Sequence, residues 1–447
     1  MKFIKKYIGD LFITNRFYVV ISACICIFII SFFLPVLGIL PNVLFGIFLT
    51  FVAIDYIFLF FFGRKPVAKR IIAERLSNGD NNKIEIIVRN DSPFTIEIEI
   101  IDELPEQFQI RDWSRKLRLK TKEQHKIVYF LKPLSRGGYQ FGNIILLVKS
   151  LLGLLARKYA SEAEVSVPVY PSFMQLRKYE LLSRATIQTE SGSKRMRKIG
   201  HSMEFEQIKE YVPGDDIRTL NWKASARKGG LMINTFTDEK SQQVYCIIDK
   251  GRLMKMPFNG LTLLDHAINS CLVLSNVCLQ KQDRVGVITF SNKIGSVLAA
   301  DRKPIQKENI LQLLYNQRSE FMESDFEMLY MQIRNRIKHR SLLILFTNFE
   351  SLSGLNRQID YLRSIASHHL LLVIFFENTE LEKLTDTKAG NIEEVYIKTI
   401  AEKFVFEKRL IVKELMKHGI LSILTSPQKL TIDTINKYLE LKVRQAV

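Results

Sequence analysis

The run FYVVISACICIFIISFFL, from Phe17 to Leu34, carries no charge, and from Val43 to Phe62 the chain is apolar again except for Asp55. Each run approaches the ~20 apolar residues that a helix needs to cross a bilayer. A cleaved signal peptide would have one shorter apolar region ending in a small-residue cleavage site, with no second run so close behind it. The expectation is a transmembrane hairpin over residues 1–65. Lys2, Lys5, Lys6 and Arg16 precede the first run, Arg64, Lys65, Lys69 and Arg70 follow the second, and Pro35 to Asn42 between them is uncharged. The positive-inside rule then puts both termini, and everything after Arg64, in the cytoplasm. Asp55 lies roughly two helical turns before Arg64, so it is expected near the interface, hydrated or paired, rather than working inside the membrane.

A chain of 447 residues has room for two or three cores. Its net charge is +18, of which +14 falls on residues 66–447, a surface suited to an anionic leaflet. Zinc-finger, RRM and KH patterns are missing, so nucleic acid is not an expected partner. None of the five cysteines has metal-knuckle or redox-motif spacing, and all are expected as buried free thiols of a reducing compartment.

Beyond the apolar runs the rhythm has period two. In FTIEIEI, Phe94, Ile96, Ile98 and Ile100 alternate with Thr95, Glu97 and Glu99, the pattern of a strand with one wet face. KIEIIVRN, HKIVYFL, YQFGNIILLV and AEVSVPVY repeat it between turn-formers such as Asp91-Ser92-Pro93 and Arg136-Gly137-Gly138, which predicts a small β-sandwich over residues 66–171. Residues 172–240 read as a connector.

From residue 241 to 447 short continuous apolar runs (VYCIIDK, RVGVITFS, SLLILFTN, HLLLVIFF) alternate with segments of helical period such as LLDHAINSCLVLSNVCLQKQ. That alternation predicts an α/β domain with a mostly parallel sheet covered on both faces. It is expected to close with a helix stopping at Gly419, the strand ILSILT, and a last helix capped by Ser426 with Pro427 at its first position.

In such a sheet ligands gather at the carboxyl ends of the strands. The strand ending at Asp249 resembles the start of the metal-ion-dependent adhesion site of von Willebrand factor A domains, yet its two hydroxyl positions hold Gly251 and Leu253, and Asn348 stands at the end of the third strand. Mg²⁺ demands hard oxygen ligands, and Lys250 and Arg252 add repulsion, so no metal and no cofactor are expected at this degenerate site. A nucleotide-hydrolysing reading lacks the G-x-x-x-x-G-K-[ST] run, and Ser225 has no G-x-S-x-G context.

Glu204, Glu206, Glu210, Asp215 and Asp216 cluster in sequence and can furnish an acid/base pair, but each has a structural role at hand. Pro213-Gly214 suits a tight turn, and Asp215 or Asp216 can cap the helical stretch IRTLNWKASAR. On it Ile217, Leu220 and Ala224 share a face beside Trp222, and Arg218, Lys223, Arg227 and Lys228 are cations within reach of the acids.

The stretch EFEQIKEYVPGDDIRTLNWKASAR closely resembles the signature of bacterial domain-of-unknown-function family 58, von Willebrand factor A-like proteins often called MoxR-associated. Val169-Tyr170-Pro171, Arg136-Gly137-Gly138-Tyr139 and Tyr438-Leu439-Glu440-Leu441-Lys442 extend the resemblance. The motif falls on Glu204, Phe205, Tyr211, Pro213, Gly214, Asp215, Asp216, Arg218, Trp222, Lys223, Ser225 and Arg227, with Asn221 where Asp is more usual. The resemblance implies a bacterial inner-membrane protein without enzymatic activity, a scaffold or adaptor for a MoxR-type AAA+ ATPase and for other membrane or cytosolic proteins in protein or complex maturation. A metal-dependent A-type receptor is the runner-up expectation, and a hydrolase using the 204–216 carboxylates the third.

Overall fold

The computed structural model describes residues 9–34, 38–150, 152–174, 203–213, 215, 217–238, 241–319, 321–386 and 390–444. The chain divides into two compact units, Met1–Tyr170 and Pro171–Val447.

In the first unit, strand β1 (Leu11–Ile13) leads into helix α1 (Asn15–Phe33), followed by α2 (Leu40–Ile57), which runs on as a π-helical turn over Phe58–Phe62. Both apolar stretches are long enough to cross a membrane, and only 6% and 22% of them are buried. A core helix of a soluble protein would hide most of such a surface. Cys24 is buried, but Cys26, two residues further and on the other side of α1, is exposed; the expectation of five buried thiols fails there, while Cys246, Cys271 and Cys278 are buried and all five are free.

The β-rich region comprises β2 (Val67–Ile71), β3 (Leu76–Ser77), β4 (Asn82–Arg89), β5 (Ile96–Asp102), β6 (Ser114–Leu119), β7 (Gln124–Leu131), β8 (Gly137–Phe141), β9 (Ile144–Lys149), β10 (Leu155–Ser161) and β11 (Val165–Tyr170). They form three sheets, ordered β1-β10-β9-β5-β6, β2-β4-β7 and β3-β11-β8, whose inward residues share one core. The alternation seen in sequence is the cause: Ile96, Ile98 and Ile100 of β5 point in, and Ile84, Ile86 and Val88 of β4 meet them.

Sequence reasoning expected Asp55 hydrated or paired, and the structure buries it completely. Its carboxylate accepts the Leu154 amide at 2.9 Å, the Leu155 amide at 2.8 Å and the Ser150 hydroxyl. The end of α2 is thereby tied to the turn before β10. A second buried cluster joins Arg70, Asp102 and Tyr129, with the Arg70 guanidinium also reaching the carbonyls of Ala163 and Gly142.

The second unit begins with the antiparallel pair β12 (Met203–Glu210) and β13 (Met232–Asp238), which encloses helix α3 (Trp222–Lys228), so the stretch read as a connector holds regular structure. Then follow β14 (Gln243–Asp249), the short pair β15 (Pro257–Phe258) and β16 (Leu261–Thr262), α4 (Leu263–Gln280), β17 (Arg284–Phe290), β18 (Ile294–Asp301), α5 (Gln306–Tyr315), α6 (Phe326–Arg336), β19 (Leu342–Phe346), α7 (Leu352–Asn356), α8 (Ile359–Ala366), β20 (Leu370–Phe376), α9 (Thr379–Asp386), α10 (Ile392–Lys417), β21 (Leu421–Thr425) and α11 (Leu430–Val443).

The main sheet runs β18-β17-β14-β19-β20-β21, parallel except for the antiparallel edge strand β18. One apolar core lies between the sheet and α4, α5 and α11, and a second between its other face and α6, α7, α8 and α10. The central strands are therefore buried on both sides, which is why they read as unbroken apolar runs. Helix α11 starts at Leu430, three residues after the proline expected at its first turn: Ser426 and Pro427 form a turn whose Ser426 carbonyl accepts the amides of Lys429 and Leu430.

Candidate functional site

Chain order reverses between β14 and β19: β17 and β18 lie on one side of β14, and β19, β20 and β21 on the other. At such a switch point the loops leaving the strands diverge and open a crevice at the carboxyl end of the sheet. Asp249 ends β14 there, and Thr347 and Asn348 follow β19.

Asp249 is buried, and its carboxylate accepts the Gly251 amide at 2.8 Å, the Thr347 hydroxyl at 2.7 Å and the Ser324 hydroxyl. Burial pushes its carboxyl above the ordinary range, against the pull of these three donors. A Cβ placed on Gly251 would overlap the Ser324 oxygen. A hydroxyl from the loop before α6 thus fills the space that a side chain at position 251 would need. Leu253 lies in the short helical turn Arg252–Lys255 and lines the cleft of about 90 Å³ over Asp249.

Both hydroxyls direct their protons to Asp249, and the Asn348 side-chain oxygen accepts the Lys408 ammonium at 2.7 Å, which brings a positive charge to the site. Among the described residues no group of three or more His, Cys, Asp or Glu is placed to hold a metal ion.

Lys408, which sequence reasoning missed, projects from α10 and also donates to the Phe349 carbonyl. Burial brings its ammonium down to about 8, with Glu350 pulling the other way. A signal was present: Lys408 sits seven residues from both Ala401 and Leu415, in the buried stripe of its own helix. Ser324 gave none, because the loop that carries it is far from Asp249 in sequence.

In the β12–β13 pair the turn is closed by the Asp215 amide donating to the Val212 carbonyl at 3.0 Å. Asp215 accepts the Lys209 ammonium at 3.0 Å and the Val212 amide at 3.1 Å on its carboxylate, and these, the ammonium foremost, hold it below the usual range. The expected helix cap lies elsewhere. Asn221 accepts the Ala224 amide at 3.0 Å and donates to Asn234 at 2.8 Å, doing the work assigned to Asp215 or Asp216. Ser225 bridges the Asn221 carbonyl and the Met232 amide, each at 2.8 Å, and so staples α3 to β13.

Lys228 pairs with Glu210 at 3.0 Å, and Tyr211 donates its amide to the Leu231 carbonyl at 2.9 Å. Arg218, Lys223 and Arg227 are exposed, and Pro213 stands at the turn. Trp222 is 71% exposed, Ile217 67% and Val212 57%. Gly214, Asp216 and the side chains of Glu204 and Phe205 lie outside the described residues. Of the face expected to pack, Leu220 and Ala224 are half-buried while Ile217, and Trp222 beside it, face solvent.

The fold defines an α/β open-sheet unit that follows an apolar helical pair and a β-rich region, with a carboxylate clamp at the sheet's switch point. Residues 207–407 match the model of a family described as "Protein of unknown function DUF58", in accord with the resemblance carried by the signature segment. A curated relative, "Uncharacterized protein YeaD" of Bacillus subtilis (strain 168), is 28% identical over 182 residues, 39% of this chain and 45% of its own length. The chain therefore spans less than half of that relative. Among solved structures, the conserved hypothetical protein BatB from Bacteroides thetaiotaomicron is 11% identical, covers 46% of this chain and 100% of its own, and has a TM-score of 0.31. The CARDB domain of the PF1109 protein from Pyrococcus furiosus is 12% identical, covers 24% of this chain and 96% of its own, and has a TM-score of 0.17. At such scores the likeness carries no argument.

Proposed function

We propose that the protein is a non-enzymatic adaptor of the bacterial cytoplasmic membrane, anchored by the apolar hairpin with its soluble units in the cytoplasm, and that it works with a MoxR-type AAA+ ATPase in the maturation of proteins or complexes. On this reading the β-rich region is a sandwich acting as spacer, and the α/β unit is an A-type domain whose metal site has been replaced by internal hydrogen bonds. The partner docks on the signature segment. The observation that supports this is the segment between β12 and β13, where Trp222, Ile217 and Val212 are exposed in a stretch that also carries exposed Lys223, Arg227 and Lys228. Exposed large apolar side chains mark protein interaction sites, and exposed tryptophan and arginine are the common anchors of such interfaces.

The test is to purify the tagged full-length protein in mild detergent, with Mg²⁺ and ATP or with EDTA, and to identify the chains that accompany it by mass spectrometry. An AAA+ ATPase is expected with the wild type and is expected to be lost, or at least tenfold depleted, with Trp222→Ala combined with Ile217→Ser. Both residues are exposed, so the variant should remain folded. Recovery of the ATPase undiminished with the folded variant would sink the docking assignment, and absence of any such ATPase with the wild type in both buffers would sink the adaptor reading.

A further inference from the structure

A cavity of about 310 Å³ opens at the carboxyl ends of β19, β20 and β21, next to the Asp249 cleft and built from different elements than the signature surface. Its floor is apolar, with Phe258, Leu263 and Phe376 buried and Leu424 and Leu381 beside them, while Phe404 of α10 stands half-exposed over it. Its rim is acidic: Glu350 on the loop after β19 and Glu380 at the start of α9 are both exposed, and Glu377 lies between them in the lining. Among the described residues Lys408 is the one cation of the lining. The site is thus net negative in a chain whose charge is +18.

We infer that this cavity is a docking site for a peptide segment that presents one large apolar side chain flanked by lysine or arginine. Size sets the first half of the specificity. At the lower end of ligand-pocket volumes, the cavity suits one or two side chains better than an extended cofactor. Charge sets the second half, because the rim carboxylates sit on two separate elements and address cations on both sides of the anchor. A basic segment is repelled by the chain's net charge of +18 and attracted by these carboxylates. Lys408 contributes to the lining with its ammonium held by Asn348 and the Phe349 carbonyl, so it leaves the acidic rim as the cavity's exposed charge.

The inference does not depend on the ATPase. It is tested on the full-length protein in a neutral detergent by fluorescence anisotropy with three labelled heptapeptides: a central phenylalanine flanked by arginines, the same peptide with a central alanine, and one with glutamates in place of the arginines. Saturable binding of the first is expected, with affinity at least tenfold lower for each of the others. Glu350→Gln with Glu380→Gln is expected to weaken the first peptide at least tenfold, and Trp222→Ala is expected to leave it unchanged. Equal binding of the alanine peptide would reduce the site to non-specific ionic attraction, and equal binding by the Glu350→Gln, Glu380→Gln protein would place the peptide elsewhere; either result overturns the proposal. Loss of peptide binding in that variant with the ATPase still recovered separates this site from the adaptor reading.

Discussion

Asp249 has the burial and position of a catalytic or metal-binding acid, yet its oxygens are spent on the Gly251 amide and on the Ser324 and Thr347 hydroxyls. The clamp has a consequence that separates structure from metal binding. With the carboxyl pushed up by burial, its ionised form is held at a cost that appears as pH rises through the ordinary carboxylate range and persists at neutrality. Asp249→Asn keeps an acceptor for Gly251 and Ser324 and removes the charge, so thermal unfolding at pH 7 is expected to stay within about 1 kcal/mol of wild type or to improve. Asp249→Ala strands three donors and is expected to cost about 1–3 kcal/mol. If asparagine were as damaging as alanine, the charge itself would be needed and the clamp account would fall. Lys408 titrates with its own sign. Its folded value of about 8 lies below the ordinary 10.5, so between those limits the unfolded chain holds a proton that the folded chain has released, and stability rises with pH across that window. The unfolding midpoint of wild type relative to Lys408→Met should therefore climb from pH 7.5 to 9.5, by the equivalent of about 1 kcal/mol after allowance for partial solvent access. A flat difference would show that the ammonium is not desolvated.

At the scale of elements, the short helix α3 shows how one residue sets a boundary. Its seven residues are far too few to hold a helix by propensity, so its start depends on the Asn221 cap and its seat on Ser225. Asn221→Ala is expected to lower stability by about 1 kcal/mol and to speed amide exchange over 222–228, while Asn221→Asp, which keeps the cap but not the bond donated to Asn234, should protect 222–228 better than alanine does. Equal exchange in the alanine variant would return the cap to the acids upstream. Asn221 was in view in the sequence as a departure from the usual Asp, but its task was not, since spacing alone allowed Asp215, Asp216 or Asn221 to reach a free amide. Elements buried on both faces, such as β14, β19 and β20, were legible because their whole length is apolar. The edge strand β18 was not, because Ile294–Asp301 is half-exposed along its length and owes its place to pairing with β17. Nor was β1, three residues held by β10, since nothing local marks so short a strand. The Asp249 neighbourhood was readable in part: the strand ends at Asp249 and Thr347-Asn348 follow from the apolar runs, while Ser324 and Lys408 arrive through tertiary packing.

For the whole molecule, the proposed membrane topology rests on a few charges. Arg64 and Lys65 directly follow the second apolar stretch, Arg16 opens the first, and residues 35–42 between the stretches carry none. On the proposed topology both ends lie inside, the arrangement that the positive-inside rule favours for cations flanking an uncharged connection. Asp55 does not oppose it, because its carboxylate is already satisfied by Ser150, Leu154 and Leu155 at the end of the hairpin that adjoins the β-rich region. A green fluorescent protein fused after Val447 is therefore expected to fluoresce in a bacterial host, and alkaline phosphatase fused there to stay inactive. The same charges give the argument its sharper form. Replacing Arg16, Arg64 and Lys65 by glutamine and placing three lysines between Gly38 and Asn42 reverses the asymmetry, and a fraction of the phosphatase fusion should then become active. An active phosphatase on the unaltered chain would put the α/β unit outside the cytoplasm, beyond the reach of any AAA+ ATPase, and would overturn the adaptor proposal together with the topology.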